Sequence, residues 1–163
     1  MSSLNAGGWS AIILNDKEEI IDILYEGFKN TTNNRMELKA VLEVLRYFKE
    51  PSNITIISDS QYVVGSITSG SAKNWIETQD YSKKNLDLWF DVVDLLEKHN
   101  VTMQWTKGHI GNKWNEEADK WCTRTFKQNL KSRILLWLWF SYFVFELGEK
   151  SKKDIWATIW REC

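Results

Sequence analysis

The sequence predicts a mixed α/β fold, a sheet of parallel and antiparallel strands with helices packed on it. Two strand-like segments stand side by side near the start, and a strand–helix alternation follows them. The composition agrees: 163 residues, 43% apolar and 26% charged, is that of one ordinary globular domain. It argues against a disordered chain or a multi-span membrane protein. A net charge of −1 excludes a globally basic nucleic-acid binder, so any polyanion must be held by local patches. Cys122 and Cys163 form neither a disulfide framework nor a metal knuckle, and residues 1–8 lack a secretory pattern. The expected setting is reducing and cytoplasmic (intracellular).

In order along the chain, residues 9–14 and 20–28 read as strands joined by the polar turn Asn15-Asp16-Lys17-Glu18. Met36, Ala40, Val41, Val44, Leu45 and Phe48 then recur at helical spacing, with Thr31, Thr32 or Asn33 as N-cap and Pro51 as the stop. Residues 54–57 form a short apolar strand, and 61–68 a short helix. Residues 70–83 read as a polar connection. A long amphipathic helix over 85–99 uses Leu86, Trp89, Val93 and Leu96. Val101, Met103 and Trp105 alternate as a strand, and a loop with Gly108 and Gly111 leads to a last helix from about residue 112.

From residue 127 the character changes. Residues 127–163 carry a net charge of +3, against −4 for the rest, and 134–145 hold no charge at all. That apolar, aromatic run is too short to span a bilayer as a helix. Ser151 and Asp154 suggest a helix start, with Ile155, Trp156, Ile159 and Trp160 along one stripe. The expected organisation is a domain over 1–126 and a basic, aromatic extension over 127–163.

Three acids stand where acids are costly unless used. Glu37 lies among Met36, Leu38, Ala40 and Val41; Asp59 follows an apolar strand directly; Asp119 borders the apolar stripe of the last helix. Alone, Glu37 reads equally as a carboxylate complementing a helix dipole, Asp59 as a cap or Asx turn, and Asp119 as a solvated acid. His109, in the glycine loop, is unremarkable by itself.

Together they say more. Asn-Asn-Arg-Met-Glu-Leu at 33–38, Ser-Asp-Ser-Gln-Tyr-Val at 58–63, and Trp-Thr-Lys-Gly-His-Ile-Gly with Asn-Glu-Glu-Ala-Asp over 105–119 occur in this order. Gly-Gly-Trp at 7–9 and Lys-Asn-Leu-Asp-Leu-Trp at 84–89 accompany them. Over residues 2–126 the chain closely resembles type 1 ribonuclease H. The resemblance implies a mixed five-stranded sheet with flanking helices and hydrolysis of the RNA strand of RNA–DNA hybrids. It also implies two Mg2+ ions, with Mn2+ as a substitute and no small-molecule cofactor. Hard cations want oxygen ligands, and a paired site activates a water and stabilises the leaving oxygen.

On this resemblance Glu37, Asp59 and Asp119 match metal-ligand positions, and His109 the flexible histidine that aids product release or relays a proton. Asn33, Asn34 and Gln61 match residues that read the minor groove and 2′-hydroxyls. Thr32, Arg35 and Asn33 lie near the phosphate pocket for the DNA strand, and Asn5 matches a further RNA contact. Such contacts address backbone and shape, so sequence specificity should be low.

The family places a fourth acid at the end of a first, central strand, and the present chain opens past that position. Three expectations stand open: a start codon assigned too late, a truncated chain, or a tail strand such as 134–145 filling the central slot. Without that acid the chain should cleave weakly or not at all. With only Lys73, Lys83 and Lys84 near Trp75, hybrid binding should be weak and salt-dependent. The main alternative is an inactive hybrid-binding module, and a third is a structural interaction domain. Residues 134–145, flanked by Lys127, Lys131 and Arg133 and then Lys150, Lys152 and Lys153, suit a membrane surface or protein partner.

Overall fold

A computed structural model of the chain describes residues 6–107 and 154–161. Among these, the expected pattern holds with one rearrangement at the centre of the sheet. Strands β1 (Ala6–Leu14) and β2 (Ile20–Lys29) form an antiparallel hairpin. Its turn is closed by Asn15, whose Oδ1 accepts from the backbone N–H groups of Lys17 and Glu19. Helix α1 (Asn33–Tyr47) follows, then β3 (Asn53–Ser58), α2 (Gln61–Thr68), α3 (Ser71–Glu77), α4 (Leu86–Lys98) and β4 (Asn100–Trp105). The last described element is β5 (Asp154–Arg161).

The sheet order is β2-β1-β5-β3-β4. Strand β5 therefore occupies the central position, antiparallel to β1 and parallel to β3, and it joins the β1–β2 ladder to the β3–β4 ladder. Across it, Ile159 opposes both Ala11 and Ser58, and Ala157 opposes both Ile13 and Ile56. The central slot is not empty: a strand of the tail fills it, although a different one from the example at 134–145, which lies outside the described residues. The helix expected after Asp154 is likewise corrected. Ile155, Trp156, Ile159 and Trp160 fit a helical stripe, but a strand in the middle of a sheet also reads as a near-continuous apolar run, because it is covered on both faces.

The core lies between the sheet and α1 with α4. Helix α1 packs across β1 and β5 and against α4. Trp9, Ala11 and Ile13 of β1 and Ile54 and Ile56 of β3 meet Leu38, Val41, Leu42 and Leu45 of α1 and Trp89 of α4. Gly7 lets β1 approach the start of α1: a Cβ there would stand 2.9 Å from Thr31 Cγ2. The connection over 70–83 contains the short α3, entered through Gly70 at φ +73°. Trp75 of that helix packs edge-on against Trp89, centroids 5.9 Å apart, with the Lys83 ammonium 5.6 Å from the Trp75 ring centre.

Candidate active site

The acid end of the molecule is built where the N-termini of α1 and α2 meet the carboxyl end of β3. Thr32 caps α1, its Oγ1 accepting from Arg35 N–H at 3.4 Å. Glu37, a little more than a turn into the helix, is only 3% exposed. A buried carboxylate requires hydrogen-bond donors. One is Ser60, whose Oγ donates to Glu37 Oε2. The same Oγ caps α2 by accepting from Val63 N–H at 3.2 Å. Ser60 N–H in turn donates to Ser58 Oγ at 3.1 Å, and Ser58 is buried.

This chain of bonds brings Glu37 to the residue next to Asp59, across 23 positions of sequence. Asp59 is half-buried, and its carbonyl accepts from Trp105 Nε1 at 3.1 Å. Thr106 N–H donates to Ser58 O at 3.0 Å, so β4 also holds this end of β3. Two helix N-termini, each presenting unsatisfied N–H groups and a partial positive charge, converge on the same edge.

The exposed rim carries Asn33 and Asn34 in the first turn of α1 and Gln61 in the first turn of α2. Arg35 is differently employed. Its guanidinium makes a forked pair with Asp87, at 2.9 and 2.5 Å, and reaches Asn85 Oδ1 at 3.3 Å. The hydrogen bond to Asp87 raises the Arg35 pKa and lowers that of Asp87. Behind this pair lies a cleft of about 240 Å³ with Lys29, Asn30, Thr31, Arg35 and Lys39 in its wall. It adjoins Thr32 and contains neither Glu37 nor Asp59.

Of the sequence-predicted site residues, the fold thus gathers Glu37 and Asp59 through Ser60, and sets Thr32, Asn33, Asn34 and Gln61 around them. Asn5, His109 and Asp119 lie outside the described residues. Sequence reasoning passed over Ser60, whose two roles were visible only in part: Ser-Asp-Ser before an apolar run signals an N-cap, but not the buried carboxylate it would serve.

Acids and helix N-termini at the carboxyl end of parallel strands stand where open α/β sheets bind ligands. The comparisons place the chain. The ribonuclease H family model matches residues 2–127. Ribonuclease HI of Synechocystis sp. is 40% identical over 131 residues, covering 76% of this chain and 79% of that protein. Ribonuclease H of Trichodesmium erythraeum is 43% identical over 119 residues, covering 70% and 74%. The chain belongs to the ribonuclease H family.

Solved structures agree on the fold. LC9-RNase H1, described as a type 1 RNase H with the type 2 active-site motif, superposes with a TM-score of 0.63 at 24% identity, covering 78% of this chain and 68% of that one. The foamy viral protease-reverse transcriptase, solved in complex with an RNA/DNA hybrid, gives 0.62 at 18%, covering 72% and 17%.

Membership implies dependence on a divalent cation. The donors present suit a hard ion: Glu37 and Asp59 offer carboxylate oxygens, and waters complete such a shell. Among the described residues no cluster of three or more His, Cys, Asp or Glu that could hold a metal ion forms. Also among the described residues, no helix is long and apolar enough to cross a membrane.

Proposed function

We propose that the protein hydrolyses the RNA strand of RNA–DNA hybrids, at an attenuated rate, with Mg2+ as its natural ion and Mn2+ as a substitute. The observation that carries this reading is the buried Glu37 carboxylate, tied by Ser60 to the edge on which Asp59 stands. An apolar core has no use for a carboxylate there, whereas a cation site does.

Glu37 and Asp59 would hold the divalent ions, with Asp119 the third acid and His109 the group that moves a proton or releases product. When bound, two such ions supply an activated water and charge stabilisation at the leaving oxygen. The chain does the rest. Asn33, Asn34 and Gln61 read 2′-hydroxyls and minor-groove edges from the rim. The N-terminal turns of α1 and α2 and the cationic cleft beside Thr32 receive backbone phosphates. Arg35, held by Asp87, acts there as a fixed charge rather than a mobile ligand.

Attenuation is supported by the central strand. In β5 the sole acid, Asp154, lies opposite Asn53 at the far end, and the last pair of this ladder, toward Asp59, is Ser58 with Ile159. The alternative, a hybrid-binding module without turnover, differs only in the extent of this loss.

The test is cleavage of a labelled RNA–DNA hybrid by the full chain with Mg2+, beside Asp59→Asn. Cleavage above background that falls by at least ~100-fold in the variant, the scale on which single charge-stabilising groups are read, supports the enzyme. Equal cleavage by both chains refutes the site. Tight hybrid binding with no cleavage at any Mg2+ or Mn2+ concentration selects the binding module.

A further inference from the structure

We propose that Trp105, the last residue of β4, is a positioning residue for Asp59: its indole N–H holds the main chain of that residue and so fixes where the carboxylate stands toward a divalent cation shared with Glu37. The inference rests on the reading of these two acids as cation ligands, and it names what keeps one of them in place.

Asp59 occupies a gap in the regular structure. Strand β3 ends at Ser58 and helix α2 is capped by Ser60, so Asp59 lies between a ladder and a helix. Its two neighbours are secured: Ser60 N–H donates to Ser58 Oγ, and Ser60 Oγ meets both Glu37 and Val63 N–H. Asp59 itself is held from β4, where Trp105 pairs with Ser58. Trp105 Nε1 donates to Asp59 O at 3.1 Å, and the next residue, Thr106, donates from its N–H to Ser58 O at 3.0 Å. Two successive carbonyls are gripped from one strand end.

The indole of Trp105 is 49% exposed, so packing leaves much of the ring unused. An indole carries one donor and no acceptor, and here that donor is spent on the acid's own main chain. Carboxylates that share a hard cation must meet it at oxygen distances of roughly 2.0–2.6 Å, with a tolerance of about 0.2 Å. A junction free to turn at residue 59 would exceed that tolerance.

The experiment uses Mn2+ as the probe and needs no turnover. Free Mn2+ is followed by electron paramagnetic resonance as the ion is titrated into the full chain without nucleic acid, beside a thermal melt of each protein. Trp105→Phe keeps a ring and loses the donor, and it should bind Mn2+ roughly tenfold more weakly than the unaltered chain, the usual scale for a group that orients a metal ligand. Equal affinity in a folded Trp105→Phe protein, whatever its melting temperature, makes the bond purely structural and overturns the proposal.

If Trp105→Phe fails to fold, Trp105→Gln decides, because it keeps an N–H donor without the ring. Affinity within about threefold of the unaltered chain then supports the proposal, and a loss of roughly tenfold overturns it. Asp59→Asn separates the two levels of the argument. A loss of Mn2+ binding in Asp59→Asn with none in Trp105→Phe brings down the proposal alone. No loss in Asp59→Asn, or no binding by the unaltered chain, brings down the cation-ligand reading and the proposal with it.

Discussion

The two ends of β3 each bury a titratable side chain, and they use it differently. At the carboxyl end Glu37 accepts from Ser60, beside an exposed rim of Asn33, Asn34 and Gln61. At the amino end His99, 6% exposed, accepts at Nδ1 from Ser52 N–H, 3.3 Å away, and lies edge-on to Phe48. Its neighbours close on themselves: Asn100 N–H donates to Ser52 O at 2.9 Å, and Asn100 Nδ2 to Asn53 Oδ1 at 3.0 Å. One end is a polar cluster opening toward a ligand, the other a polar seal. Burial alone does not tell them apart; the direction in which the hydrogen bonds lead does.

The largest effect should come from breaking both ends together. Thr158 of β5 opposes Ile12 on one side and Ile57 on the other. Thr158→Pro removes a donor from the middle of the sheet, at a cost of ~3 kcal/mol or more, comparable with much of a domain's stability. A melt followed by circular dichroism should lose its cooperative transition. An unaltered melting curve would show that β5 does not hold the sheet.

Next comes a change confined to the acid end. Ser60→Ala leaves Glu37 without this hydroxyl donor and α2 without its cap, which together cost about 1–3 kcal/mol. Hybrid cleavage should fall by roughly tenfold or more, the usual effect of losing a group that orients a ligand. Cleavage unchanged in a destabilised Ser60→Ala protein would make that contact purely structural.

The smallest effect belongs to the amino end and is read through pH. Burial, followed by the nearby Lys98 charge, lowers the His99 pKa from its ordinary value of 6.5. The unfolded chain therefore takes up the proton more readily than the folded one. The contribution of His99 to stability is full above about pH 6.5 and is lost as pH falls toward its folded pKa. The urea midpoint of the unaltered chain should drop between pH 7.5 and 5.5 by more than that of His99→Gln, while cleavage at pH 7.5 is the same. Equal drops in the two proteins would show that protonation of His99 does not loosen the amino end.

Much of this was legible in the sequence because the signals are local. The α2 span 61–68 is expected from the sequence and found, and Thr32 is one of the three caps the sequence offers for α1. Glu37 and Asp59 were legible as unusual acids from their apolar flanks. What local reasoning missed depends on partners distant in the chain. The helix expected after Asp154 had a fitting stripe, and only the empty slot between β1 and β3 makes the segment a strand. Helix α3 reads locally as a polar connection because much of what holds it, Trp75 against Trp89, lies across the fold. The forked pair of Arg35 with Asp87, 52 residues away, is likewise invisible to local reasoning.

The central place of β5 also sets an order of events in the life of the chain. Everything β5 pairs with lies before residue 59, and 48 residues separate Trp105 from Asp154. At ~5–20 residues per second, a ribosome spends roughly 2–10 s on that interval. Throughout it the two outer ladders exist without the strand that unites them, each with an open edge toward the other. Closure is a long-range, partly parallel pairing, the slow kind. During that interval the nascent sheet is split in two, and it becomes one sheet only when β5 is made.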